Sequence, residues 1–293
     1  MIIKEISVTA PFSFHKTLFS HGWIDLAPFC YDESMGTLTY KLNLAGNSVL
    51  LKFSSPDDKL LTVEADTEQS EMICTEIDRI ARRMFRLDED LSEFYNLASE
   101  TKDFKWVYAM GAGRLFRTAS LWEDMVKMLC TTNCTWNLTR IMVRNLVEEL
   151  GDGCFPEPRL IAGKAEMYLR EQIKMGYRAP YLMELSQRFV EQEIDIAAFE
   201  TQGYDCETAY KQIRKIKGFG HYAASNLLKL LGYYDYFGSD SWSLKKFSAK
   251  HLNNAACTEK DITVYYEKFA RWQGLFFWMD MTADWHVQDE SSV

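Results

Sequence analysis

The 293-residue sequence predicts an α+β fold that is predominantly α, with a small antiparallel β-rich domain at its N-terminus. Two observations lead to this fold class. Up to about residue 65 the segments alternate apolar and polar residues or are rich in β-forming residues, which is typical of strands. From Glu68 the apolar residues recur with a period of 3.6, which is typical of amphipathic helices. The change of period divides the chain into a β-rich domain (1–68) and a helical domain (69–286), with a short tail (287–293).

Two strands and a turn are predicted within the β-rich domain. The segments TLTYKLNL (37–44) and SVLLKF (48–53) carry the strand pattern, and the AGN between them is a hairpin-like turn signal. The FSSPDD that follows ends the strand pattern because it combines proline with turn-forming polar residues.

Helices are predicted over most of the remaining chain. The first is the clearest, because one face carries the apolar residues Met72, Ile73, Ile77, Ile80, Ala81 and Met84. By the same criterion we expect helices at 69–86, 91–99, 120–130, 136–150, 162–174, 178–192, 206–216, 221–231, 241–250 and 261–284.

The composition points to an ordinary globular protein, with 47% hydrophobic and 26% charged residues. Seven cysteines without a CxxC pair favour reduced thiols and a cytosolic compartment, and neither cysteines nor histidines have the spacing of a metal site. No apolar run approaches the ~20 residues that span a bilayer. We therefore expect a soluble monomer without membrane association, cytoplasmic and associated with the nucleoid if the source is bacterial.

One stretch of this acidic protein is basic. Residues 201–250 hold eight Lys and Arg against four acids, a local charge of +4 that leaves −13 for the rest of a chain whose total is −9. A basic face of this kind is typical of proteins that bind the phosphate backbone of a nucleic acid. A solvated helix surface explains the same count equally well.

Two short helices within this stretch are joined by a glycine turn, KGFG. Gly218 and Gly220 permit positive φ and remove Cβ atoms, so backbone N–H groups at the start of the second helix can bind an anion. The unit covers residues 206–231, and Lys217, Gly218, Phe219 and Gly220 are its candidate phosphate contacts. A tight connection without function remains the alternative, and a structural cation on the hairpin carbonyls is left open.

A single acid, Asp240, follows the glycine-bearing aromatic loop GYYDYFGSD and precedes a helical pattern. An acid at this position is expected as an N-cap, in competition with Ser239 and Ser241. Its closeness to the glycine hairpin makes a catalytic role the second interpretation.

Four further segments resemble the helix-hairpin-helix DNA glycosylases, whose Gly/Pro-rich loop ends in a catalytic Asp. MLCTTNCTWNLTRIMVRNLVEELG (128–151) and KMGYRAPYL (174–182) resemble the 8-oxoguanine branch, and GYYDYFGSDSWSLKKF (232–247) is nearer to the bacterial 3-methyladenine branch. YEKFARWQGLFFWMDMTADWH (266–286) resembles both branches. The resemblance implies a TBP-like β domain, a helix-hairpin-helix core and, as partner, double-stranded DNA that contains a damaged base.

The resemblance also implies roles for individual residues. Asp240 falls on the catalytic aspartate, and Tyr177 falls on the aromatic wedge that fills the stack after a base is extruded. Arg178 falls on a residue that reads the orphaned base, and Asn133 falls on one that fills the vacated space. Extrusion costs a few kcal/mol of pairing and stacking, which such side chains offset in part.

Departures from the family pattern modify these expectations. Tyr222 stands where strand-cutting members have a lysine, and a phenol cannot form their Schiff base, so we expect a monofunctional enzyme without lyase activity. Trp242, Phe277, Trp278 and Met281 join Tyr222 as candidates for the base pocket. Such an aromatic pocket favours alkylated purines. An 8-oxoguanine-type enzyme, a non-catalytic damage-binding protein and an unrelated helical interaction protein remain alternatives.

Overall fold

The N-terminal region forms one antiparallel sheet in the computed structural model, which describes residues 1–287. The strands are β1 (Ile2–Ser7), β2 (Phe29–Asp32), β3 (Thr37–Leu44), β4 (Asn47–Ser54) and β5 (Leu60–Ala65), in the order β1-β5-β4-β3-β2. A short helix, α1 (Phe14–Leu18), lies in the connection between β1 and β2. The predicted hairpin is confirmed, because β3 and β4 pair around a turn in which Ala45 and Gly46 have positive φ.

Fourteen further helices lie within the described residues. They are α2 (Glu71–Phe85), α3 (Ser92–Glu100), α4 (Lys105–Ala109), α5 (Leu121–Thr131), α6 (Trp136–Leu150), α7 (Pro158–Ala162), α8 (Glu166–Glu171), α9 (Ala179–Val190), α10 (Ile196–Glu200), α11 (Cys206–Arg214), α12 (His221–Leu231), α13 (Ser241–His251), α14 (Glu259–Tyr266) and α15 (Gln273–Val287). The predicted α+β class, predominantly α, is confirmed. None of the helices up to residue 287 is long and apolar enough to cross a membrane.

The helix boundaries differ from the prediction in two places. The helix expected at 162–174 is replaced by α7 and α8, since Pro158 begins α7 and Gly163 follows its last residue. The helix expected at 261–284 is broken into α14, a 3-10 segment (Glu267–Trp272) and α15. The break occurs at Ala270, whose φ of 48° and ψ of −128° are not helical. The short helices α4 and α10 were not predicted.

The sheet and the helices share one core. Phe85, at the end of α2, is fully buried and lies against Phe14 at 5.3 Å, Phe53 at 5.5 Å and Phe116 at 5.5 Å between ring centroids. These partners come from α1, from β4 and from the segment before α5. The buried apolar residues of both predicted domains therefore form one continuous cluster. The tail predicted at 287–293 lies outside the described residues from position 288 onward.

Replacing Phe85 with Ala should lower the free energy of unfolding by about 3–5 kcal/mol, because truncating a buried phenylalanine leaves a cavity. Met72→Ala on the same helix is the control, since the Met72 side chain is 68% exposed and should matter by less than about 0.5 kcal/mol. Urea titration followed by tryptophan fluorescence measures both. A separate early transition of the sheet alone would contradict a shared core.

Candidate active site and DNA interface

A cavity of about 680 Å³ opens between the glycine hairpin, the connection from α5 to α6, and the loop before α13. Its volume is that of a small-molecule pocket. Of the predicted site residues, Asn133, Gly218, Gly220, Tyr222 and Asp240 line it. Segments far apart in the sequence are thus brought to one place.

Asp240 has the first of the two roles that the sequence left as alternatives. It is the N-cap of α13, with its Oδ1 accepting from the Ser243 N–H at 2.8 Å, while Ser243 Oγ accepts from the Asp240 N–H at 2.9 Å. The cap occupies Oδ1, and no hydrogen bond of residues 1–287 involves Oδ2. A capped carboxylate with its second oxygen available is held rigidly at the cavity wall.

The loop before Asp240 is fastened to α12. Asn226 donates through Nδ2 to the carbonyl oxygens of Tyr222 at 2.9 Å and Gly238 at 3.0 Å. Gly238 has a φ of +61°, and a Cβ at this position would lie 2.6 Å from Asn226 Nδ2. Position 238 therefore requires glycine, both for its backbone and for the close approach of Asn226.

Tyr222 lies in the cavity wall near Asp240. Burial, and after it the Asp240 carboxylate, raises the pKa of Tyr222 to about 12. The phenol therefore stays protonated at neutral pH. It can stack or donate a hydrogen bond there, but it is not a nucleophile.

Lys229 also lines the cavity, and the sequence analysis did not identify it as a site residue. Its side chain is buried, with Nζ donating to the carbonyl oxygen of Phe237 at 2.7 Å and lying 4.9 Å from the ring centroid of Trp278. Burial lowers the pKa of Lys229 to about 7, although Asp240 and Glu259 act in the opposite direction. The sequence does contain a sign of its burial, because Lys229 lies within the apolar run NLLKLL, two helical turns beyond Tyr222.

The hairpin has the geometry expected of a phosphate site. Gly218 has a φ of +88°, and a Cβ there would lie 2.5 Å from Leu129 Cδ1. Gly220 is the N-cap of α12 and supplies no side-chain cap, so the first N–H groups of α12 are not covered by a side chain. Phe219 is buried and anchors the turn, whereas Lys217 is ion-paired with Glu184 at 2.5 Å.

The basic stretch 201–250 is less positive than its count suggests. Four of its eight cations are paired with acids of this chain, as Lys211–Glu207, Lys217–Glu184, Lys246–Asp284 and Lys250–Asp280. A fifth, Lys229, is buried. The local count of +4 therefore overstates the positive charge that this stretch presents to a DNA phosphate.

The three residues expected around an extruded base meet at Thr132. Asn133 Nδ2 donates to the Tyr177 hydroxyl at 3.4 Å, and that hydroxyl donates to the Thr132 carbonyl at 3.4 Å. Tyr177 is 45% exposed, as a wedge must be. Arg178 is buried, with Nε donating to Thr132 Oγ1 at 3.2 Å and Nη2 donating to the Thr132 carbonyl. In this conformation Arg178 orders the loop under Tyr177 instead of reaching outward to read a base.

Three predicted pocket residues lie outside the cavity wall. Phe277 is buried against Phe237 at 5.6 Å, Met281 is buried in the core, and Trp242 is 40% exposed on the outside of α13. The aromatic wall consists instead of Tyr222 with Trp23, Trp136, Trp278 and the ring of His21. On α15, Trp278 lines the cavity, whereas its neighbour Phe277 is buried in the core.

His21 adds a neutral polar group to this wall. One ring nitrogen, Nε2, lies 2.6 Å from the carbonyl oxygen of Phe116 and therefore carries a hydrogen that it donates. Burial lowers the pKa of His21 to about 4. The imidazole is therefore uncharged at neutral pH.

Wild type and Lys229→Met should differ in how their free energies of unfolding depend on pH. The difference, wild type minus variant, should rise between about pH 7.5 and 9.5, with a slope approaching 1.4 kcal/mol per pH unit. In that window the unfolded lysine still binds its proton, whereas folded Lys229 has lost it, since its pKa is about 7. Lys215→Met, at an exposed lysine, should give a flat difference. Denaturant titrations at several pH values provide the comparison, and a flat line for Lys229 would contradict a buried neutral amine.

No family model matches the chain, and no curated protein does. Among solved structures, the chain is similar to the 3-methyladenine DNA glycosylase of Archaeoglobus fulgidus, with 16% identity over 99% of this chain and 100% of that one and a TM-score of 0.76. It is also similar to the 8-oxoguanine glycosylase/lyase of Clostridium acetobutylicum in complex with double-stranded DNA containing cytosine opposite 8-oxoguanine, with 16% identity, coverage of 100% and 99%, and a TM-score of 0.72.

The similarity extends to the 3-methyladenine DNA glycosylase of Schizosaccharomyces pombe in complex with abasic DNA. There the identity is 15%, the coverage is 68% of this chain and 98% of that one, and the TM-score is 0.53. At these identities the likeness establishes the fold. The chain has the fold of the 3-methyladenine and 8-oxoguanine DNA glycosylases, as its sequence motifs predicted.

Proposed function

We propose that this chain is a DNA glycosylase of base excision repair, and that it is monofunctional. The observation that carries the proposal is the carboxylate of Asp240, fixed by its cap at the wall of a cavity large enough for a base. The neighbour structures support DNA as the partner, since two of those described above were solved with DNA.

In the proposed reaction a damaged nucleotide leaves the duplex and its base enters the cavity. Tyr177 takes the vacated place in the stack, supported from below by Arg178, whose guanidinium carbon lies 4.5 Å from the Tyr177 ring centroid. The two hairpin glycines and the first N–H groups of α12 hold a phosphate of the same strand. Binding at this point fixes the sugar relative to Asp240.

Hydrolysis then breaks the bond between C1′ and the base nitrogen. As the base departs with the bonding electrons, positive charge develops on the sugar, and the Asp240 carboxylate stabilises that charge. Water adds to C1′, and the proton it releases neutralises the departed base, so the products are the free base and an abasic site. The oxygen Oδ2, which the N-cap leaves available, is the group that faces this chemistry.

The absence of strand cleavage follows from the groups in the wall. A Schiff base at C1′ requires an unprotonated amine. The strand-cutting members of the family that this sequence resembles have a lysine at the position where this chain has Tyr222. The buried Lys229 amine lies two turns deeper and is bound to the Phe237 carbonyl.

The substrate expectation needs revision in one respect. An aromatic pocket with few hydrogen-bonding groups favours alkylated purines, but the candidates Trp242, Phe277 and Met281 do not line the cavity. Aromatic groups remain in the wall, so stacking with a flat base stands. The presence of Lys229 favours the alternative class of neutral, oxygen-bearing bases, which includes 8-oxoguanine.

Asp240→Asn should lower base excision by roughly 10²–10³, because the amide cannot stabilise the developing positive charge. Asn is a good N-cap, so the fold of α13 is retained. Ser243→Ala is the matched control, since it removes the reciprocal capping bond and leaves the carboxylate.

The measurement is single-turnover excision from duplexes with one lesion each, resolved with and without alkali. Wild type should give breaks only after alkali, and borohydride should trap no covalent complex. Full excision by Asp240→Asn would contradict its catalytic role. Breaks without alkali would contradict the monofunctional assignment.

Glu184→Gln should tighten nonspecific DNA binding and make the slope of log K against log[salt] steeper by up to about 0.9, because it releases Lys217 for a phosphate. The control is the double variant Glu184→Gln with Lys217→Ala, which should lose the gain. Titration of a fluorescent duplex at several salt concentrations measures both. An unchanged slope would show that Lys217 does not contact DNA.

A further inference from the structure

Lys229 lies deeper in the cavity than the groups assigned to the reaction. It follows Tyr222 by two turns on the same face of α12, which places its Cα about 10 Å further along the helix axis. Tyr222 and Asp240 lie near each other, since the carboxylate acts on the phenol. The carboxylate also acts on Lys229, so all three groups face one cavity. Because Lys229 is buried whereas Tyr222 and Asp240 are half-buried, Lys229 is placed to meet the base and Asp240 to meet the sugar.

Lys229 and Lys127 are the two buried lysines among the described residues, and their surroundings differ. Lys127 is fully buried too, but it has a counter-ion, since its Nζ lies 2.8 Å from the buried carboxylate of Glu123. Lys229 has no carboxylate within ion-pair distance among residues 1–287. Its only hydrogen bond there goes to the Phe237 carbonyl.

This leaves hydrogen-bonding capacity directed at the cavity. The Lys229 amino group has two N–H donors when neutral and three when protonated, and the Phe237 carbonyl takes one. The indole face of Trp278, at 4.9 Å, provides a weaker electrostatic contact. Buried hydrogen-bond donors normally have an acceptor. The N–H donors of Lys229 that line the cavity without a protein acceptor are therefore expected to find one on a bound ligand.

We propose that Lys229 is a specificity-determining residue, which donates hydrogen bonds to the carbonyl oxygen of the extruded base and so selects a neutral 6-oxopurine. The proposal rests on the glycosylase function proposed above. The N–H donors of a lysine amino group match the O6 and N7 acceptors of a guanine-type edge. Hypoxanthine presents both acceptors, and 8-oxoguanine presents O6 together with a second carbonyl.

The same geometry disfavours the other purine lesions. A cationic base such as 3-methyladenine has no carbonyl oxygen for the amine, and it repels the protonated form of Lys229 where the dielectric constant is low. A purine without a carbonyl group leaves the amine unmatched, and sites built to hydrogen-bond a substrate reject analogues that lack the partner. The neutral imidazole of His21 does not serve as that hydrogen-bond acceptor, since no hydrogen bond joins it to Lys229 Nζ among the described residues.

A purely structural role is the competing explanation, because Lys229 also holds the loop through the Phe237 carbonyl. Asn226 offers a matched control. It holds the next carbonyl of the same loop, that of Gly238 at 3.0 Å. Loosening the loop should slow every substrate alike, whereas losing base recognition should slow only the carbonyl-bearing ones.

The experiment compares four substrates in single turnover with the full chain: hypoxanthine and 8-oxoguanine as neutral 6-oxopurines, 1,N6-ethenoadenine as a neutral purine without a carbonyl, and 3-methyladenine released from methylated DNA. Wild type should excise the 6-oxopurines fastest. Lys229→Met should slow them at least tenfold and leave the other two within about threefold. Lys229→Gln, which keeps a neutral donor, should recover part of the loss. Asn226→Ala should slow all substrates by one common factor.

Equal losses on all four substrates for Lys229→Met would overturn the proposal and assign Lys229 to loop support. Wild-type activity confined to ethenoadenine or 3-methyladenine would also overturn it, while leaving the glycosylase function intact. Failure of wild type to excise any base would instead contradict the proposed function. If Lys229→Met does not fold, the wild-type order of substrates and the Lys229→Gln variant still decide the question.

Discussion

One helix fixes the geometry on which the site depends. From α12, the side chains of Asn226 and Lys229 donate to successive carbonyls, those of Gly238 and Phe237, and so hold the aromatic loop against the helix. The loop then ends at Asp240, whose carboxylate begins α13 at the cavity wall. The same helix begins at the hairpin with uncovered N–H groups. The N–H groups of the hairpin and the Asp240 carboxylate are thereby held at a fixed separation by a single rigid element.

The charge distribution explains how an acidic protein could still bind DNA. Half of the cations in the basic stretch are neutralised by acids of the same chain, so bulk charge contributes little. Under the proposed function, binding depends on backbone N–H groups at the hairpin and on insertion of Tyr177, both of which act at short range. This arrangement suits a protein that must examine many sites and hold only those at which a base leaves the stack readily.

The sequence predicted those parts of the fold that depend on residues close together along the chain. The hairpin between β3 and β4, the helix α12 and the position of Asp240 before α13 all follow from turn residues, periodicity and capping. The sequence did not predict the rest, because tertiary packing decides it. Helix α15 is buried on most of its surface, so its periodicity does not decide which of the two candidates, Phe277 or Trp278, meets the cavity. Arg178 and Lys229 appeared as surface cations, and only the fold shows that both are buried.

The most direct test of the account is a crystal structure of the Asp240→Asn variant bound to a duplex with one hypoxanthine. The account predicts the extruded base in the cavity, its O6 within hydrogen-bond distance of Lys229 Nζ, C1′ facing residue 240, and Tyr177 in the vacated stack. A base that remains stacked in the duplex, or one seated with its O6 directed away from Lys229, would contradict the account.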